Sequence, residues 1–350
     1  MKVTKEGVLL EPSDNEFENR AVLNPACVQQ GDEIHMFYRA VTGHNHSTIG
    51  YCRLDGPTKV VERQHKPVIA PEYDYEKHGL EDPRIVKFED SYYLFYVAYD
   101  GKNARIAYAT SEDLKSWQKH GIISPNCTYD QAEDYFRKNK SQLKERYFWF
   151  ESYHKDVVGP DVLLWEKDTF MLPEKINDKY ALIHRILPEM QIVYFDNFEN
   201  LKDEDFWCQY LKKLGEYVVL EPYYGYESRN IGGGAPFLKT AEGWLNIYHA
   251  VQDMNRGRIY RASAALHDLE DPTKVLGRLA KPLLSPTEDY ELKGDVDDVV
   301  FPSSLSLFGD KLYIYYGAAD RRIAVASVSL SELITELLSP DSASSKWGVY

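Results

Sequence analysis

The sequence has no apolar run long enough to span a bilayer, and its opening residues, Met1-Lys2-Val3-Thr4-Lys5-Glu6, lack the apolar core of a secretory signal. It has four cysteines in 350 residues. Cys27, Cys52, Cys127 and Cys208 lie far apart, at spacings that match neither a zinc site nor a redox pair. Reduced thiols in a cytoplasmic protein without a bound metal are therefore expected. Positive charge is also short: 41 Lys and Arg stand against 55 Asp and Glu, a formal net charge of −14. That balance argues against nucleic acid or an anionic membrane as the main ligand, though it permits a local basic site inside an acidic shell. The glycine run Ile231-Gly232-Gly233-Gly234-Ala235-Pro236 lacks the Lys-Ser/Thr of a phosphate-cradling loop and does not open a helix, so it predicts a tight turn.

Aromatic side chains, by contrast, are abundant: 27 Tyr, 14 Phe and 6 Trp. Such rings pack well in sheets and also stack on sugars. They recur in a pattern. An apolar-aromatic strand is followed by a short loop and a second β-rich strand, in five copies beginning near residues 34, 92, 180, 244 and 312. Aligning Phe37, Phe95, Ile183, Ile247 and Ile314 gives steps of 58, 88, 64 and 67 residues. Five copies with one stretched interval predict an all-β fold, a five-bladed β-propeller forming a single catalytic domain over residues 1–350. A two-sheet sandwich is the rival. The stretched interval, residues 126–165, is highly charged and poor in β-formers. It predicts a helical insertion, followed by the aromatic cluster Tyr147-Phe148-Trp149-Phe150. The insertion is a solvated excursion, a lid, or a contact in a homo-oligomer.

Gly79-Leu80-Glu81-Asp82-Pro83-Arg84 places two carboxylates at the entrance to a strand. Pro83 should push Asp82 towards an extended conformation. Neighbouring strand residues face opposite sides, so one of Glu81 and Asp82 should face the site. A carboxyl held there suits general acid work. Two positions after each aligned apolar residue stand Arg39, Val97, Arg185, His249 and Tyr316. Three of the five are basic, and a ring of basic groups would hold an anion. Asp320 ends the fifth copy, Asp295, Asp297 and Asp298 form an acidic loop, and Glu227 precedes the glycine run. The residues alone fit two classes: a glycosidic-bond enzyme that holds phosphate, or a non-catalytic carbohydrate- or anion-binding propeller.

The ordered set Asn24-Pro25-Ala26, Phe37-Tyr38-Arg39-Ala40, Glu81-Asp82-Pro83-Arg84-Ile85, Leu172-Pro173-Glu174-Lys175-Ile176, His184-Arg185, Gly243-Trp244-Leu245, Tyr248-His249, Val299-Val300-Phe301-Pro302 and Tyr315-Tyr316-Gly317-Ala318-Ala319-Asp320 resembles glycoside hydrolase family 130, the β-mannoside phosphorylases and β-mannosidases. The resemblance implies a five-bladed propeller and inverting phosphorolysis of a β-mannoside to α-mannose 1-phosphate, with inorganic phosphate as co-substrate and no cofactor. Asp82 would be the catalytic acid, acting through a sugar hydroxyl. Asn24, Arg39 and Asp320 would hold the mannose, Tyr260 and Phe301 the acceptor, and Lys167, Arg185 and His249 the phosphate. A hydrolytic member would use a glutamate base, for which Glu227 is the candidate. The chain departs from the family in two places: Gln191 stands where many phosphorylases carry His, and the 126–165 insertion is long.

Overall fold

The computed structural model describes residues 1–138 and 143–339. Its strands form five antiparallel units, each with a four-strand path; in the fourth, the short strand Leu238–Lys239 also pairs with Trp244–Met254. The first is Ala21–Gln30, Glu33–Val41, Ser47–Asp55 and Lys59–Arg63. The second is Gly79–Phe88, Ser91–Tyr99, Ala104–Ser111 and Gln118–Ile122. One parallel pairing, Ser47 to Gly79, joins the two. Lys167–Met171, Tyr180–Arg185, Met190–Phe195 and Val218–Leu220 form the third. Asn230–Gly233, Trp244–Met254, Gly257–His267 and Val275–Arg278 form the fourth. The fifth takes Val300–Phe308, Lys311–Ala318 and Arg322–Ser329, and its outer strand is the N-terminal Thr4–Leu10. The opening strands of the first four units pack on one another in turn; that of the fifth packs on the second and third strands of the fourth and back on the opening strand of the first.

A buried glutamate locks four of the units. Glu18, Glu76, Glu227 and Glu291 are fully buried, each in the turn before its unit's first strand. Each accepts a hydrogen bond at 2.7 Å from a tyrosine of the second strand: Tyr38, Tyr96, Tyr248 and Tyr316 respectively. Each also meets a cation of the outermost strand: Arg63 at 3.0 Å, Lys119 at 2.7 Å, Arg278 at 2.6 Å, and Lys5. Turn amides satisfy further lone pairs, as from Tyr223 and Tyr224 to Glu227, both at 2.8 Å. Glu227, the candidate base, is thus sealed among structural partners. The third unit substitutes His184, held by Glu166 and Tyr210 at 2.6 Å each.

Pairing also corrects the fifth register. Arg39 lies opposite Leu23, Val97 opposite Glu81 and Arg185 opposite Lys167, so the equivalent position opposite Phe301 is Gly317. Tyr316 is equivalent to Tyr38. The doublet Tyr315-Tyr316 hid this one-residue slip.

The insertion holds two helices, α1 (Tyr129–Arg137) and α2 (Glu145–Val158). A Thr128 capping box starts α1. The aromatic cluster 147–150 belongs to α2 rather than following a single helix; Tyr147 and Phe150 are buried and Trp149 is exposed. None of the described helices is long and apolar enough to cross a membrane.

Stripping a buried carboxylate of its cation is costly, about 3–5 kcal/mol. Lys119→Met is therefore expected to lower unfolding stability by that amount in urea titration, and Tyr96→Phe by about 1–3 kcal/mol. Losses below about 0.5 kcal/mol in both would show that the Glu76 network is not structural.

Candidate active site

One cavity of about 290 Å³ draws its walls from all five units. A larger groove of about 1040 Å³, between the third unit and the loop at Glu270, shares none of its lining residues and gathers no comparable cluster of cations. Three equivalent β-bulges build the smaller cavity's floor. The pairing register breaks between Leu23 and Ala26, Glu81 and Arg84, and Lys167 and Phe170. At those breaks Asn24, Asp82 and Asp168 take φ of 49°, 50° and 59°. Asp82 is thus left-handed, not extended. A bulge re-aims a side chain, and short polar residues tolerate this conformation best.

As expected, one of the two neighbouring carboxylates faces the site: Asp82 lines the cavity and Glu81 does not. Arg39 bonds both, Glu81 at 2.7 Å and Asp82 at 3.3 Å. Asp82 Oδ1 further accepts from Asn24 at 2.7 Å, and Lys167 reaches Glu81 at 3.2 Å. Burial pushes the Asp82 carboxyl up, but Arg39, Lys167 and Asn24 together outweigh it and hold the group at about 2. Asp320, at the same end, is pushed up to about 6 by burial, against the pull of Arg39 and with help from the Asp82 charge.

The other end is basic but already paired. Arg185 meets Asp168 at 2.6 Å and His249 at 3.3 Å. Burial, with Arg185 and Arg84 close by, lowers His249 to about 4 against the opposing Asp168, so it is a neutral imidazole near pH 7. It sits just behind the cavity, 4.4 Å from the Phe301 ring. Of the column expected to be basic, Arg39 and Arg185 therefore carry charge, Val97 is buried and His249 is neutral. Beneath, fully buried Arg84 donates to the carbonyls of Pro83, Gly233 and Gly234.

The glycine run is not a turn. Gly232 and Gly233 lie in a strand, where a β-carbon would strike Asp168 and His249 or Phe170. These glycines let the third and fourth units close on the site. Asn24, Arg39, Asp82, Lys167, Arg185, Tyr260, Phe301 and Asp320 all line the cavity. Sequence reasoning missed Asp168, although Lys167-Asp168 stands in register with Leu23-Asn24 and Glu81-Asp82; it lacks the following proline. It also missed Tyr153, Trp165, Arg229 and Arg258, for which the repeat holds no signal.

A neutral hydroxylated ligand beside Asn24, Arg39 and Asp320 would sit between a carboxyl at Asp82 and cations at Lys167 and Arg185. That arrangement suits displacement at a sugar carbon by an anion. Residues 6–338 match the family profile for glycoside hydrolase family 130, described as beta-1,4-mannooligosaccharide phosphorylase. The chain is 32% identical over 346 residues to a 1,2-beta-oligomannan phosphorylase of Thermoanaerobacter sp. (strain X514), spanning 95% of this chain and 98% of that one. It is equally identical, at 32%, to a beta-1,2-mannobiose phosphorylase of the same strain, over 93% and 96% of the two chains. The solved beta-1,2-mannobiose phosphorylase of Listeria innocua shares the fold at a TM-score of 0.71 and 23% identity, over 96% of this chain and 99% of that one. A profile match over nearly the whole length, with relatives this similar end to end, shows that the chain belongs to glycoside hydrolase family 130.

Proposed function

We propose that the protein is an inverting β-mannoside phosphorylase, built as one five-bladed propeller. Its reaction splits a β-mannobiose or manno-oligosaccharide with inorganic phosphate into α-mannose 1-phosphate and the shortened acceptor. The observation that carries this reading is the meeting of Asp82 with Lys167 and Arg185 in one cavity. Relatives matching nearly end to end are named for β-1,2-linked mannosides, which favours that linkage here. The reaction needs no cofactor. Four unpaired cysteines fit a reducing, cytoplasmic setting.

Asn24, Arg39 and Asp320 hold the mannose, and Tyr260 and Phe301 face the acceptor. Phosphate binds against Lys167 and Arg185, with neutral His249 behind them bonded to Arg185 at 3.3 Å. The incoming anion engages Lys167, one of the nearby cations that depress Asp82. Its proton affinity rises as the nucleophile arrives, and the proton then passes through a sugar hydroxyl to the leaving oxygen. Attack from the opposite face inverts the anomeric carbon. Hydrolysis would need a base, and Glu227 is sealed away behind Arg278.

With β-1,2-mannobiose, turnover should require phosphate and release mannose 1-phosphate; free mannose at the same rate without phosphate would refute phosphorolysis. Asp82→Asn should cut kcat by about 10²–10⁴-fold with an unchanged circular dichroism spectrum. Near-normal turnover would remove Asp82 from the mechanism. Asp320 binds its proton more tightly folded than unfolded, so its contribution to stability is present at low pH. That contribution is lost as pH rises from the usual carboxylate range through about 6. Asp320→Asn should therefore be stabilising by about 1–3 kcal/mol at pH 8 and near neutral at pH 4. A pH-independent difference would contradict the assignment.

A further inference from the structure

The family's two departures in this chain, Gln191 and the long insertion, meet at one contact. The Gln191 side chain accepts from the backbone N–H of Ile186 at 2.7 Å and donates to its carbonyl at 2.9 Å. It also donates to the Tyr147 hydroxyl of α2 at 2.8 Å. Tyr147 in turn donates to Glu189 at 2.7 Å. The turn that follows Arg185 is thereby tied to the insertion.

The far side of α2 is fixed to the fourth unit. The Arg229 guanidinium lies 5.5 Å from the Trp149 ring and 5.3 Å from each of Phe150 and Tyr153. Arg146 donates to the carbonyls of Ser228 and Arg229. Held through residues 146–153 to the turn after Arg185 and to the fourth unit, α2 presents Tyr153 and His154 to the cavity, with Trp165 beside them. Arg258 reaches the Tyr153 hydroxyl at 3.4 Å, and its strand also carries Tyr260. Tyr153 therefore stands on the side assigned above to the acceptor. At about 290 Å³ the cavity is at the low end of ligand pockets, about 300–1,000 Å³.

We propose that α2 is the outer wall of the acceptor subsite and that Tyr153 limits the length of mannoside the cavity admits, so that mannobiose is preferred over longer chains. The inference rests on the β-mannoside reading. A wall pinned by Gln191, Glu189 and Arg229 does not swing aside, so a third or fourth sugar must displace the Tyr153 ring or forgo contacts at the acceptor end. Trimming that ring opens the path without touching Asp82, Arg39 or the phosphate cations.

The test measures binding rather than turnover, so that it stands apart from phosphorolysis. Calorimetry on Asp82→Asn should show β-1,2-mannobiose binding about tenfold or more tighter than β-1,2-mannotetraose. In Asp82→Asn/Tyr153→Ala the ratio should fall to within about threefold, and in Asp82→Asn/Tyr153→Phe, which keeps the ring, it should persist. Equal affinities in Asp82→Asn, a ratio unmoved by Tyr153→Ala, or binding of neither sugar would overturn the proposal. Phosphate-independent release of mannose by the unaltered enzyme would overturn phosphorolysis while leaving the length discrimination standing.

Discussion

A carboxylate removed from water is tolerated only when its lone pairs and its charge are met. Four of the five units are built around that constraint. Glu18, Glu76, Glu227 and Glu291 each join a turn, a second-strand tyrosine and an outer-strand cation. Any one partner displaced leaves the others unsatisfied, so the strands are locked in a single register. Glu18 and Glu76 stand six residues before Asn24 and Asp82, so the network also fixes where the first strand starts and where its bulge falls. In the fifth unit the cation is Lys5, from the N-terminal strand, and the same device ties that strand to the turn that opens the last unit.

The network supplies a frame, and the cavity is where charge is left adjustable. Every cation near its centre has an acidic neighbour: Arg39 has Glu81 and Asp82, Lys167 has Glu81, and Arg185 has Asp168. An empty cavity with unpaired cations would repel itself, and one with unpaired carboxylates would exclude phosphate. Pairing gives near balance at rest and lets each cation share its charge with an incoming anion. Lys167, one of the groups that hold Asp82 near 2, is also one that such an anion would engage, so anion binding would loosen that hold.

The repeat was legible because aromatic strands recur at intervals that sequence displays directly. So were the cavity residues that sit in repeated columns, such as Arg39 and Arg185. The glutamate network was visible too, in Phe17-Glu18, Tyr75-Glu76, Tyr226-Glu227 and Tyr290-Glu291, but an acidic residue in a turn reads as solvated until its partners are known. Glu227 was read as a candidate base for that reason. The backbone of Asp82 was misjudged because a proline's local preference was weighed without the bulge, a feature of pairing between strands. Tyr153, Arg229 and Arg258 were out of reach, because an insertion's docking depends on side chains from units distant in sequence.

The bulges show why local rules fail at this place in particular. A non-glycine residue at positive φ is disfavoured, and three such residues at equivalent positions would be a liability in a plain core. Here each is Asn or Asp, each turns its side chain into the cavity, and Asn24 and Asp82 bond to one another across the junction of two units at 2.7 Å. The strain is thus held by the same contact that positions the Asp82 carboxyl. At the corresponding junction of the third and fourth units, Gly232 and Gly233 remove the β-carbons that would strike Asp168, His249 and Phe170. Backbone strain on one side and missing side chains on the other bring the carboxyl and the cations within reach of one small ligand. Neither would survive selection for stability alone, so both mark the cavity as the part of the fold kept for chemistry.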